Sequence, residues 1–195
     1  MRYDTVIIGG GLSALMCGIE VARAGKRVAL VATGNSCLHF SSCSFGLYNA
    51  PEPLKAIESL PAIHPYAKMG AEQVEAYATR ATEILNIAGI ATVGSAEQNH
   101  YIATPVGKWR ECWLSIEGML TSKSGKDVDF KSATILYPEG FLDFYTQFIV
   151  DHLEGMGVKV KTHAFELPEL VIRRNNPTEM RTVTVARALD KTENI

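Results

Sequence analysis

Two periodicities alternate along the first part of the chain. Residues 3–9 (YDTVIIG) form a short run rich in β-branched side chains that stops at glycine, which predicts a buried strand. From 12 to 24, Leu12, Leu15, Met16, Ile19 and Ala22 recur at helical spacing, and Gly25 ends the run. Residues 27–31 (RVALV) return to a strand pattern. A strand, a helix and a strand within about 30 residues fit a parallel pair crossed by one helix.

The period is lost over 34–65, a stretch rich in Ser, Gly and Pro, where Pro51, Pro53, Pro61 and Pro65 read as breakers in a long loop. It returns at 71–88, where Val74, Tyr77, Ala78, Ala81, Ile84, Leu85 and Ala88 make one apolar stripe that Gly89 closes. Residues 99–115 (NHYIATPVGKWRECWLS) predict a hairpin turning at TPVGK, with Trp109 and Trp113 on one strand face or at a partner interface. SATILY (132–137) predicts a strand. A helix is expected after it, carrying Phe141, Leu142, Tyr145, Phe148, Ile149 and Leu153 and capped by Gly157. In VKVKTHA (158–164), Val158, Val160 and Thr162 alternate with Lys159, Lys161 and His163, as in a half-exposed strand. A last helix is signalled by Asn176 as N-cap, Pro177 at its first position and Glu179 three beyond the cap. An open sheet needs more strands than these, so the chain is expected to be the N-terminal part of a longer protein.

Charge changes the picture little. With 19 basic and 21 acidic residues and no long run of one sign, a nucleic-acid partner is disfavoured. Residues 6–19 are uncharged, but three consecutive glycines and the following Glu20 keep them from reading as a membrane span. The first strand starts too early to leave room for a signal peptide. The four cysteines, Cys17, Cys37, Cys43 and Cys112, lack a CxxC pair and are expected as reduced cytoplasmic thiols. No two histidines have metal-ligand spacing on one helix face, so no metal site is expected.

The candidate chemistry begins at 9–18 (GGGLSALMCG), which satisfies G-x-G-x-x-A-x-x-x-G between a predicted strand and a predicted helix. Gly9 allows the tight turn, and Gly11 lets a phosphate approach the backbone without meeting a Cβ. Ala14 and Gly18 keep the helix close to the sheet. The N–H groups of the first turn, including Leu12 and Ser13, face an anion with the positive end of the helix dipole. A dinucleotide or flavin nucleotide is therefore expected. In an NAD or FAD site, an acid about 20 residues further on takes the adenosine ribose. Here the second strand ends in Ala32 and Thr33, and the nearest acids are Glu20 and Glu52. The gap favours FMN, which has no adenosine, and leaves FAD as the alternative with Thr33 or Asn35 as poor substitutes. NAD is the least favoured. The following segment, GNSCLHFSSCSFGLYN (34–49), offers Ser36, Ser41, Ser42, Ser44 and Gly46 to a phosphate or a flavin ring, although an ordinary polar loop reads the same way.

Taken whole, the sequence resembles the B subunits of the anaerobic glycerol-3-phosphate dehydrogenases. YDTVIIGGGLSALMCG, LHFSSCSFGL, HPYAKMG, IATPVGKWRECWLS, GFLDFYTQF and ELPELVIRRNNPTEMRTVTVARALD carry the resemblance. LHFSS and the last of these are its specific parts. The chain departs from the family at Cys43, where a glycine is often seen.

The resemblance implies an α/β flavoprotein of Rossmann-like, glutathione-reductase-like fold. Its flavin-binding unit would lie at 1–50, an inserted α+β region for substrate or interface at 51–137, and a returning segment of the flavin domain at 138–195. It implies an FMN protein that works beside a larger, FAD-containing catalytic subunit, the pair oxidising sn-glycerol 3-phosphate to dihydroxyacetone phosphate. A third, iron–sulfur subunit would anchor the complex to the cytoplasmic face of the membrane, with electrons passing to quinone and then to fumarate or nitrate. A docking subunit that keeps the fold without the chemistry is the second reading.

Oxidising an alcohol needs a base for the hydroxyl proton. His39, inside the serine loop, is the best-placed histidine. His64, His100, His152 and His163 read as structural or surface residues. A substrate phosphate calls for arginine, and Arg173 and Arg174 are the first pair to consider, followed by Lys108 and Arg110 at the hairpin.

Overall fold

The computed structural model describes residues 2–34, 36, 38, 41–168 and 182–191, in a mixed α/β arrangement that divides into two compact units between Cys43 and Ser44. In the first unit, β1 (Thr5–Ile8) and β2 (Val28–Val31) pair in parallel, with Thr5 opposite Val28 and Ile8 opposite Val31. α1 (Leu12–Arg23) makes the crossover. Arg27 N–H donates to Asp4 Oδ2 at 2.9 Å and closes the pair at its start, and Gly9 N–H donates to Val31 O at 2.8 Å at the other end.

The helix stripe differs from the expected one. Of the expected stripe, Met16 is partly buried but Leu12, Leu15, Ile19 and Ala22 are exposed, whereas Gly11, Ala14, Gly18 and Val21 are partly buried. A Cβ built on Gly18 would lie 3.5 Å from Ile7 Cδ1 and 3.9 Å from Val28 Cγ1, so this is the side that meets the strands. Small side chains let the backbones approach, and the larger apolar ones are displaced outward. Val6 and Ile8 point away from α1 and are 60% and 89% exposed.

The second unit begins at β3 (Ser44–Phe45), which pairs with β7 (Leu114–Ile116). The stretch expected as loop also holds two short helices, α2 (Pro53–Glu58) and α3 (Pro65–Met69). Pro53 and Pro65 start these helices, because a first-turn position needs no N–H. His64 caps α3, its Nδ1 accepting from Tyr66 N–H at 3.1 Å. α4 (Ala71–Ile87) follows as expected.

β4 (Thr92–Gly94) joins the other edge of β7 to give the antiparallel order β3-β7-β4. β5 (His100–Ala103) and β6 (Trp109–Cys112) form the expected hairpin, and β8 (Thr121–Ser122) adds to β5. The turn is closed by Gly107 N–H on Thr104 O at 3.0 Å. The two tryptophans do not share a face. Trp109 packs edge-on to His152, 5.1 Å between ring centres, while Trp113 lies past the end of β6 in a buried cluster with Ala78, Ala96 and Leu114.

A second parallel crossover closes the unit: β9 (Ser132–Pro138), α5 (Thr146–Glu154) and β10 (Lys159–Phe165), with Ser132 opposite Lys159 and Pro138 opposite Phe165. The helix starts at Thr146, so Phe141, Leu142 and Tyr145 precede it. α6 (Thr182–Leu189) places Ala188 against Leu167 and Phe165. Its predicted cap, Asn176 to Glu179, lies outside the described residues.

Gly25, Gly89 and Gly157 end α1, α4 and α5 with the same geometry. Each has positive φ, and the N–H of the next residue reaches back five positions, from Lys26 to Val21 O, Ile90 to Leu85 O and Val158 to Leu153 O.

Gly94 is demanded by packing as well. At φ +112°, its Cβ would collide with Trp113 O and lie 2.7 Å from His100 Cε1. Gly94→Ala is expected to cost about 3 kcal/mol or more, combining backbone strain and overpacking. Gly118→Ala, at φ +89° with nothing within 4 Å, is expected to cost only about 1 kcal/mol. Urea unfolding of the two variants checks the difference.

Candidate cofactor site

β1 delivers the chain into a turn at Gly9, where φ is +110°, a conformation that L side chains rarely adopt. Gly10 follows beneath Ala32, to whose Cβ a Cβ of its own would stand at 3.4 Å. Gly11 is the N-cap of α1, with φ −73° and ψ 173°, and no side chain caps the helix. The first helical bond is Leu15 N–H to Gly11 O at 3.0 Å, so the N–H groups of Leu12, Ser13 and Ala14 have no partner among the described residues. No acid sits in the first turn to neutralise the positive end of the dipole. A Cβ on Gly11 would meet nothing within 4 Å, so the space above its backbone is open. Unpartnered donors, a bare approach and an uncompensated dipole together suit a phosphate, and the residues fit a nucleotide cofactor at this end of the unit.

Thr33 stands exposed in the bend after β2, and Ala32 is exposed beside it. Ser36 Oγ accepts from Leu38 N–H at 3.3 Å, and Ser41 Oγ accepts from Cys43 N–H at 3.2 Å. These two hydroxyls hold the loop's own backbone, and Cys43 takes a left-handed conformation at φ +56°. That is the place where the resemblance expects glycine, and the loop bends there as a glycine would allow. Ser42 is partly buried in the same loop. Ser44 lies in β3 opposite Ser115 and so belongs to the second unit. Asn35, His39, Arg173 and Arg174 lie outside the described residues.

The remaining histidines are engaged in structure or exposed. His64 caps α3, and His152 packs on Trp109. Its pKa is lowered by burial and then by the nearby Lys108. Arg110 and Lys108 stay on the hairpin, Lys108 N–H donating to Thr104 Oγ1 at 3.2 Å. His163 is exposed on β10.

His100 is held most firmly. Its Nε2 lies 2.9 Å from Ser115 Oγ and 3.5 Å from Cys112 Sγ, so one ring joins β5, β6 and β7. Ser115 is fully buried. That burial keeps it from acting as a nucleophile, although a hydroxyl beside an imidazole resembles such a pair. Burial also pushes the Cys112 thiol up to about 11. No periodicity announces this group, because strand register alone brings its members together. Among the described residues, no three His, Cys, Asp or Glu side chains are grouped to hold a metal, and no helix is long and apolar enough to cross a membrane.

Comparison with known proteins agrees with the geometry. The family described as FAD binding domain matches residues 4–195. The chain belongs to that family. Among curated proteins, relatives named as B subunits of anaerobic glycerol-3-phosphate dehydrogenase are 40% identical in Pectobacterium carotovorum, 39% in Yersinia enterocolitica and 35% in Actinobacillus succinogenes. Each match takes in 100% of this chain and 48–49% of the relative, so the chain spans about half their length. These are the proteins that the sequence motifs resemble. No solved structure matches.

Two outcomes follow from the buried His100 node. Burial lowers the His100 pKa below its ordinary 6.5, so the unfolded chain binds the proton more readily. Its contribution to stability is complete above pH 6.5 and is lost as pH falls from there through the folded-state pKa. Stability measured from pH 7.5 to 5 should decline below 6.5, and His100→Gln should flatten that slope. A thiol reagent at pH 8 should modify exposed Cys17 and spare Cys112 until the protein is unfolded. Mass mapping of the labelled peptides checks it.

Proposed function

We propose that the chain is part of a flavin-dependent dehydrogenase subunit that takes part in oxidising sn-glycerol 3-phosphate to dihydroxyacetone phosphate. The open, uncapped start of α1 carries the reading, supported by the family match and the names of the relatives. Gly9, Gly11 and the N–H groups of Leu12, Ser13 and Ala14 hold the cofactor phosphate, and Ser36, Ser41, Ser42 and Ser44 contribute the polar loop. FMN is the proposed cofactor, because Ala32 and Thr33 stand where adenosine would need an acid. FAD, the ligand in the family's description, is the alternative, held by Thr33 or Asn35.

When bound, the flavin supplies the hydride acceptor. The chain positions its phosphate and keeps the ring's neighbourhood polar. His39 is the proposed proton acceptor or flavin contact, and Arg173 and Arg174 the proposed contacts to the substrate phosphate. The fold proposed for the whole is Rossmann-like. In it, 1–50 and 138–195 belong to the flavin domain and 51–137 is an insertion. The proposed partners are a larger, FAD-containing catalytic subunit and an iron–sulfur anchor. Through them the protein would sit on the cytoplasmic face of the membrane and pass electrons to quinone.

The test is the flavin content of the purified full-length protein, identified by chromatography after denaturation, beside that of Gly11→Ala. Alanine at this position meets no protein atom and keeps an ordinary backbone conformation, so folding stability should fall by no more than about 1 kcal/mol, the difference between glycine and alanine as N-cap. Flavin affinity should fall at least tenfold, because the methyl occupies the phosphate approach. A full-length protein that assembles with its partners but holds no flavin would instead serve only to dock them.

A further inference from the structure

β9 and β10 pair in parallel, and the two faces of the pair are unequal. On one, Ala133, Ile135, Tyr137 and Val160 are partly buried. On the other, Ser132, Thr134 and Leu136 of β9 lie beside Lys159, Lys161 and His163 of β10, and all six are exposed. Leu136, well inside that face, is 62% exposed. Parallel strands are ordinarily covered on both faces, because their crossovers place other elements there. A bare parallel face with a leucine in it is an incomplete layer.

The face carries one sign of charge. Lys159 and Lys161 stand two positions apart, roughly 7 Å along the strand, and no carboxylate shares the face with them. Neither lysine forms an ion pair among the described residues. A complementary cover brings acids to this row and an apolar side chain to Leu136.

The far end of the same face is covered. Phe165, two positions beyond His163, packs with Leu167 and with Ala188 of α6. The last turn of α6 therefore lies at the edge of the open part, and the curated relatives are about twice the length of this chain.

We propose that a segment following α6 in the full-length protein lies on this face, an amphipathic element with acidic side chains along Lys159 and Lys161 and an apolar one on Leu136. It involves neither the glycine turn nor bound flavin.

Carbodiimide coupling of the full-length protein, alone in dilute solution, tests it. The reagent joins a lysine amine to a carboxylate in contact with it as an amide, and takes up the water that is lost. Mass mapping of the monomer band should find Lys159 or Lys161 joined to an Asp or Glu beyond residue 195 of the same chain. In Leu136→Cys, the thiol should react about tenfold slower in the native protein than in urea, as at a site reached only through local opening. Adding Lys159→Glu and Lys161→Glu should remove most of that protection, because acids would then face acids. Coupling to a second copy or to another polypeptide, no coupling at either lysine, a thiol that reacts as fast natively as in urea, or protection that survives the double reversal would overturn the proposal.

Discussion

Three amide groups at the start of α1 have no partner among the described residues, and the first unit is arranged to keep them so. A serine or aspartate at the N-cap would satisfy one of them and, relative to glycine, contribute about 0.3 kcal/mol. The chain has Gly11 there instead, with no side chain to reach back. The turn at Gly9, which only glycine adopts without strain, and the close pass of Gly10 under Ala32 lead from the end of β1 into the helix start. The parallel register of β1 with β2 then fixes where Ala32 and Thr33 stand relative to it. Forgoing a cap leaves these donors open to an anion from outside the unit.

The second unit rests on two consecutive residues. Asn99 reaches the carbonyls of Tyr48 and Ala50, some fifty positions away in sequence, and Pro51 O receives its backbone N–H. His100 joins the two antiparallel sheets through Ser115 and Cys112. The close pass of Gly94 against His100 and Trp113 brings β4 to the same point. Substituting Asn99 or His100 would therefore release contacts between segments far apart in the chain. Neither side chain is replaceable by an apolar one of the same size, because buried carbonyls and a buried hydroxyl would lose their partners.

What the sequence made legible was local. The glycine turn, the helix ends at Gly25, Gly89 and Gly157, and the hairpin at TPVGK follow from short-range backbone rules, and each is found where it was expected. Elements that depend on a neighbour read less clearly. Pro53 and Pro65 look like breakers until a helix is seen to begin on each. Periodicity assigns the stripe of α1 to its large apolar residues, yet the strands are met by the small ones, because closeness of backbone decides that contact. Trp109 and Trp113 have the even spacing of one strand face, but β6 ends between them. The group around Asn99 and His100 has no sequence signature at all, since it exists only through register.

The absent acid after β2 bears on what the first unit can hold. A charged hydrogen bond to a ribose hydroxyl is worth about 1.5–3 kcal/mol, so its loss weakens an adenosine site by one to two decades. The phosphate interaction at the helix start does not depend on that acid, because it comes from backbone N–H groups and the dipole. The two halves of a dinucleotide site are thus separable in energy, and the uncapped helix start of this chain has the features of the phosphate half. A ligand with one phosphate loses nothing by the substitution of Ala32 and Thr33. A dinucleotide would have to recover the difference from contacts elsewhere, and relatives about twice the length of this chain have residues from which such contacts could come.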